Sequence, residues 1–185
     1  MPKVSQDHLD ARRQQILAGA QRCFAQHGYT GATVARLEQE IGLSRGAIFN
    51  YFPSKQELFL ALAIEVNRRY GRLLLEGGVE AAIRAMAAED PEWLGVVFEV
   101  HGKLRHDPDF VRRLDEASDA ARPTLQDWFE AKQANGTFRD DVSGRDLGRF
   151  VTMVLNGLAL RVVGEEETDV DATLKLLHDA VAPRQ

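Results

Sequence analysis

The chain has 185 residues, 44% of them hydrophobic and 28% charged, enough for a packed core in one or two domains, and neither a short stapled scaffold nor a large enzyme is implied. One cysteine cannot close an internal disulfide and no cysteine or histidine cluster stands at metal-ligand spacing, so a reducing, cytoplasmic setting without a bound metal is expected. The net charge of −5 would argue against nucleic acid were it even, but residues 1–55 carry seven basic residues against four acidic ones, a surplus of three, and the rest carries −8; a basic head on an acidic body fits a chain that meets phosphates at one end only.

The opening MPKVSQDHLDARRQ lacks the apolar run of a secretory signal, and no stretch approaches the roughly 18 apolar residues that span a bilayer, so a soluble chain with no membrane partner is expected. Residues 8–27 set Ile16, Ala20, Cys23, Phe24 and His27 on one helical face, and Gly28 supplies a stop. Thr33 can cap a short second helix with Val34, Leu37 and Ile41 inward and Gly42 at its end. Ser44 then caps a third helix, anchored by Ile48 and Phe52 and ended by Pro53. Short helix, glycine-bearing turn, short helix is the helix-turn-helix arrangement. Ser54-Lys55-Gln56-Glu57 reads as a capping box opening a long fourth helix that runs to about Glu76, before Gly77-Gly78.

Asp90-Pro91 and Asp107-Pro108 each pair an N-cap with a proline at the first helical position. The LGVVFEV run has strand character, but Leu94, Val97, Phe98, His101, Leu104 and Arg105 keep helical spacing and no partner strand is near, so helix is preferred. Residues 109–134 read as helical with a kink or break at Pro123 and an end at Asn135-Gly136. Ser143 to about Gly164 is apolar on most sides: Leu147, Phe150, Val151, Val154, Leu155 and Leu158 make one stripe, with Met153, Ala159 and Leu160 off it, the pattern of a buried helix. The last helix, about 169–181, shows Leu174, Leu177 and Val181 on one side, a stripe suited to a second copy of the chain.

With Ile48 and Phe52 in a small core, the third helix is left with Arg45, Gly46, Ala47, Phe49, Asn50 and Tyr51 facing out. In a major groove arginine pairs with guanine edges and asparagine with adenine, while Ala47 and an aromatic ring suit the thymine methyl, so Arg45 and Asn50 are the expected base readers. Lys55, Thr33 and Tyr51 stand where phosphates would pass and would fix register. Arg36 reads equally as a DNA contact and as a solvated charge, Thr33 is a cap whether or not it meets phosphate, Phe49 can be half-buried, and Tyr29 is read as packing between the first and fourth helices.

These residues carry a resemblance. Ile16, Ala20, Phe24, Gly28-Tyr29, Thr33-Val34, Leu37, Ile41-Gly42-Leu43-Ser44, Gly46-Ala47-Ile48-Phe49, Tyr51-Phe52, Lys55 and Leu58-Phe59 resemble the DNA-binding domain of the TetR family of bacterial regulators, closely over about a quarter of the chain. Phe49 departs from the tyrosine common at its position. The resemblance implies an all-α fold, with an N-terminal three-helix helix-turn-helix DNA-binding domain over residues 1–53 and a C-terminal helical ligand-binding and dimerisation domain over 54–185. It implies double-stranded operator DNA as partner, a homodimer through the last two helices, and helices five to seven enclosing a small-molecule effector; repression is the default outcome. It also places Thr33, Arg45, Gly46, Ala47, Phe49, Asn50, Tyr51 and Lys55 at the DNA. The stretches RCFAQHGYTGATV, SRGAIF and FLALA, with Leu104-Arg105 and Asp107-Pro108, resemble one actinobacterial branch of the family. That resemblance implies a small polycarboxylate effector with a divalent cation.

Polar residues among apolar ones in the body, Glu99, His101, Arg105, Asn156 and Arg161, are the candidate ligand contacts, since a buried charge needs a partner or an ionic ligand. His101 also reads as a hydrogen-bonded core histidine, Arg161 as a pair across the dimer, and Arg122 as solvent-facing. The run Glu165-Glu166-Glu167-Thr168-Asp169 is read as solvated rather than as a metal site. No nucleophile with a base, carboxylate pair or phosphate-cradling glycine loop is evident, so no enzyme activity is expected. The alternative is a helical dimer whose head binds a protein instead of DNA.

Overall fold

A computed structural model describes residues 6–119 and 122–184, and every element among them is helical: α1 Gln6–Gly31, α2 Val34–Ile41, α3 Arg45–Phe49, α4 Lys55–Ala87, α5 Pro91–Leu104, α6 Pro108–Asp119, α7 Arg122–Ala134, α8 Gly144–Val163 and α9 Val170–Val181. The contacts divide the chain into two units. One is the chain up to Glu65 together with Glu92–Leu114; the other is Val66–Pro91 with the chain from Asp115 onward. The segment 92–114 thus packs with the head, a grouping by contact rather than by chain order.

In the first unit the spacing of α1 buries Ile16, Leu17, Ala20, Cys23 and Phe24 against Leu37 and Ile41 of α2. The close crossing of α1 and α2 depends on Gly19, where a Cβ would stand 2.8 Å from Ile41 Cγ1. At Gly28 the chain leaves helical geometry (φ 68°, ψ 168°), which realises the expected stop before a last turn to Gly31. Thr33 Oγ1 accepts from the Arg36 N–H as the α2 cap, and Gly42 closes that helix in the left-handed region (φ 74°). The third helix is shorter than the sequence suggests. It ends at Phe49 and continues as a turn in which the Tyr51 and Phe52 N–H groups both donate to the Ile48 carbonyl, because Pro53 can neither donate nor let its predecessor stay helical. Phe24, Tyr29, Phe59 and Trp93 form an aromatic cluster with ring centroids 5.5–5.9 Å apart.

In α4, Ser54 Oγ accepts from the Glu57 N–H, while the Glu57 carboxylate takes the Arg113 guanidinium (Oε2 to Nη2 2.7 Å). The helical stretch breaks at Gly78 (φ 74°, ψ −173°), as the glycine pair suggests, but helix resumes to Ala87, which the sequence reading omits. Tyr70 Oη donates to Glu89 Oε2 at 2.8 Å, and Arg69 binds the same carboxylate. A straight helix would part residues 70 and 89 by about 28 Å, so the chain folds back at Gly78. Burial and the Glu89 carboxylate push the Tyr70 phenol up to about 12.

The second unit packs α7 on α8. Gly148 lies under Phe129, where a Cβ would stand 3.3 Å from the ring, and Trp128, Phe129 and Phe138 pack edge and tilt. α6 is described to Asp119 and α7 from Arg122; the kink or break expected at Pro123 falls on residues 120–121 and the Pro123 side chain, which lie outside the described residues.

Two expectations are corrected here. The α8 helix is not buried all round: Leu147, Val151, Leu158 and Ala159 are, but Met153 is 63% and Leu160 56% exposed, because one chain supplies a neighbour to only part of its circumference. In α9, Leu177 and Val181 are buried within their own chain and Leu174 half so, while Leu176, on another side, is 71% exposed.

Candidate nucleic-acid interface

The head presents one polar surface built on α2, α3 and the start of α4. Ile48 is fully buried and Phe52 nearly so, fixing which way α3 faces. Arg45, Gly46 and Asn50 are exposed, and Ala47, Phe49 and Tyr51 are half-buried beside them. Ser44 Oγ accepts from the Ala47 N–H, and Glu38 Oε1 of the supporting helix accepts from the Arg45 N–H at 2.6 Å. The α2–α3 turn is therefore held by side chains at both ends. The Arg45 guanidinium lies 6.0 Å from the Phe49 ring centre, a cation–π contact at the edge of range.

Thr33 and Arg36 are exposed at the start of α2, where the Arg36 Nη1 donates to the Gly31 carbonyl at 2.8 Å. Lys55 is half-buried; its Nζ donates to the Tyr29 carbonyl at 2.9 Å and stands 4.7 Å from the Tyr29 ring centre. Tyr29 itself packs between Phe24 of α1 and Phe59 of α4, as the sequence suggests. The structure thus brings the nine expected DNA-contacting residues into one unit, on or beside the same two short helices.

The five expected ligand contacts are divided between the two units. Glu99, His101 and Arg105 belong to the first unit, Asn156 and Arg161 to the second. His101 and Arg105 are exposed, because α5 turns Trp93, Val96 and Val100 inward; His101 is therefore not a core histidine. Glu99 accepts from the Tyr29 N–H (3.0 Å) and the Thr30 hydroxyl (3.4 Å). Asn156 is exposed on α8, and Arg161 ties down its own α8–α9 loop through Thr168 Oγ1, the Glu167 carbonyl and Glu166. The side chains of Leu104 and Arg122 lie outside the described residues. Sequence reasoning missed Glu99's engagement with the head; the apolar spacing Trp93, Val96, Val100 was the available signal that α5 faces another way. Among the described residues no group of three or more His, Cys, Asp or Glu is placed to hold a metal, and no helix is long and apolar enough to cross a membrane.

Residues 16–62 match the profile described as bacterial regulatory proteins, tetR family, and residues 75–183 that of a BetI-type transcriptional repressor, C-terminal. The chain is 47% identical to the HTH-type transcriptional repressor Rv1474c of Mycobacterium tuberculosis, with 98% of each chain covered. It is 40% identical to the HTH-type transcriptional repressor AcnR of Corynebacterium diphtheriae, over 100% of this chain and 99% of that one. Among solved structures, Salmonella enterica GusR superposes with a TM-score of 0.73 at 20% identity over 97% of this chain and 98% of its own.

Proposed function

The chain belongs to the TetR family of bacterial regulators, and we propose that it represses transcription as a homodimer that reads operator DNA through α3 and releases it in response to a small-molecule effector. It is a DNA-binding transcriptional repressor, as its full-length relatives are named. The observation that carries the residue-level reading is the split of the third helix and the turn that continues it: Ile48 and Phe52 in the core, Arg45 and Asn50 in solvent. A helix anchored in this way offers its first turn to the major groove, with arginine and asparagine as base readers and Thr33, Arg36, Tyr51 and Lys55 on phosphates. The protein acts in the cytoplasm, where the operator is.

The dimer forms through α8 and α9. Met153, Asn156, Gly157 and Leu160 follow the spacing of one helix face and all are exposed in the single chain, with Leu176 exposed on α9. The effector is a small polycarboxylate carrying a divalent cation, a reading supported by the resemblance to the aconitase repressors of actinobacteria. It acts by changing the distance between the two heads, since half-sites about 34–36 Å apart must be met by both recognition helices together. It does so only insofar as its affinity differs between the free and DNA-bound states. Equal affinity for both states, measured by calorimetry with a tricarboxylate and magnesium, excludes that mechanism.

The test of operator binding is fluorescence anisotropy with a duplex from upstream of the protein's own gene, at several salt concentrations, beside Arg45→Ala and Tyr51→Ala. Tight binding that weakens with salt and is lost in the variants is expected. Affinity no higher than for random DNA overturns the choice of operator, and wild-type affinity in both variants overturns the choice of residues.

A further inference from the structure

We propose that Glu99 is a positioning residue for operator binding: from α5 it fixes the Gly28–Thr30 break and thereby the two phosphate-facing residues that flank it, Thr33 and Lys55. The proposal rests on the DNA-binding reading above. Beyond Gly28, where the backbone leaves helical geometry, the Tyr29 N–H donates to Glu99 Oε2 at 3.0 Å and the Thr30 hydroxyl to Oε1 at 3.4 Å. The other backbone group of Tyr29, its carbonyl, accepts from Lys55 Nζ at 2.9 Å. One residue is therefore held through both its backbone groups, from α5 on one side and α4 on the other, while its ring is held by Phe24 and Phe59. Four residues further on stands Thr33, the cap of α2.

Gly28 completes the arrangement. Its non-helical backbone (φ 68°, ψ 168°) sets the direction of the Tyr29 N–H, and a Cβ there would stand in ordinary contact with Glu99 Oε2, at 3.4 Å. Two further ties join the segment 92–114, which carries Glu99, to the start of α4: Gln56 Nε2 to Asp107 Oδ2 at 2.9 Å and the Glu57–Arg113 ion pair. Glu99 alone among these reaches the α1–α2 junction.

The sign of the effect separates positioning from charge. A carboxylate near a phosphate-binding surface repels DNA, so removing its charge strengthens binding if charge is all that matters. Loss of a hydrogen-bond acceptor that sets the junction weakens it. Glu99→Ala and Glu99→Gln remove the same charge, and only glutamine keeps an oxygen to accept from the Tyr29 N–H.

The experiment uses the full-length protein and a duplex that the wild type selects from a random pool, with anisotropy for affinity and amide hydrogen exchange at Tyr29. We expect Glu99→Ala to bind about tenfold more weakly than Glu99→Gln, as loss of one hydrogen bond in each of two heads implies, and its Tyr29 amide alone to exchange faster. Equal affinities for the two variants, or tighter binding by both than by wild type, overturn the proposal. If Glu99→Ala folds poorly, Glu99→Asp keeps the charge and withdraws the carboxylate by one methylene; it should bind as weakly as alanine, and wild-type affinity there overturns the proposal too. If the wild type selects no duplex, the DNA-binding reading fails by itself. Tyr29 exchange still decides Glu99: faster only in alanine supports its hold on the junction, equal rates overturn it.

Discussion

Arg45 and Lys55 meet DNA under different constraints, and their variants should differ in kind. Arg45 is exposed at the first turn of α3, its backbone N–H held by Glu38 and its guanidinium over Phe49, so its donors reach a base edge without disturbing the core. Lys55 donates to the Tyr29 carbonyl from an ammonium that carries three N–H groups in all. Arg45→Ala should weaken the cognate duplex about 10- to 100-fold and relax preference at one base pair. Lys55→Ala should weaken all duplexes alike and lower the salt slope by about one. Anisotropy across single-base operator variants and a salt series reads both; base-independent loss for Arg45→Ala would remove it from the base readers. The DNA-facing set was legible in the sequence because Ile48 on the short third helix and Phe52 in the turn that continues it are both core residues, which leaves only one way for the helix to face. The covered side of α5 was not, since polar residues on a helix do not say which of its sides is packed. Trp93 and Val100, both fully buried, decide it, and they turn His101 and Arg105 into solvent.

At the scale of elements, helix ends were legible wherever a cap or a left-handed glycine sets them: Thr33, Ser44, Ser143 and Asp169 each accept from a backbone N–H of the first turn, and Gly42, Gly78 and Gly136 stand at φ 74°. Close approach between helices was less legible, because Gly19 and Gly148 look like ordinary helix residues until Ile41 and Phe129 are seen against them. The end of α9 shows a further device that no local pattern announces. The Arg139 N–H donates to the Val181 carbonyl at 2.8 Å and its Nη1 to the Ala180 carbonyl at 3.1 Å, while its Nε and Nη2 make a two-pronged ion pair with Asp141 at 2.6 and 2.7 Å. Asp141 thereby holds Arg139 onto the last turn of α9, and hydrogen bonding from Arg139 draws its carboxyl down from 3.8 to about 2. A depressed carboxyl stabilises the fold above its unfolded value, and that contribution fades as pH falls through the folded one. Wild type should therefore melt higher than Asp141→Asn at neutral pH, by an amount that stays constant above about pH 5 and shrinks as pH falls from about 4 toward 2. Melting curves on the two proteins over that range test it; a pH-independent difference would mean that the ion pair is not its source.

The largest scale is set by what one chain leaves uncovered. Met153 and Leu160 stand two turns apart on α8, with Asn156 and Gly157 between them on the same face, and all four are exposed. The apolar character of α8 was plain in the sequence, but sequence periodicity cannot divide an apolar helix between its own core and a partner's surface. The structure shows which side of α8 the chain itself covers: Leu147, Val151 and Leu158 point inward, Met153 and Leu160 outward. In the proposed dimer, burying these side chains against the same face of a second copy would be an isologous contact, in which Gly157 would permit close approach of the two α8 helices and the amide of Asn156 would favour one register over its neighbours. A charge on this face faces its own copy across the two-fold axis, so Leu160→Glu combined with Leu176→Glu should leave a folded monomer, read as halved mass by sedimentation equilibrium with an unchanged helical spectrum. Because a monomer engages one half-site and loses the linked second binding event, its operator affinity should fall by about 100-fold or more, while its affinity for an isolated half-site stays at the level of one wild-type head. A double variant that sediments as a dimer would move the interface off α8 and α9 and onto another face of the chain.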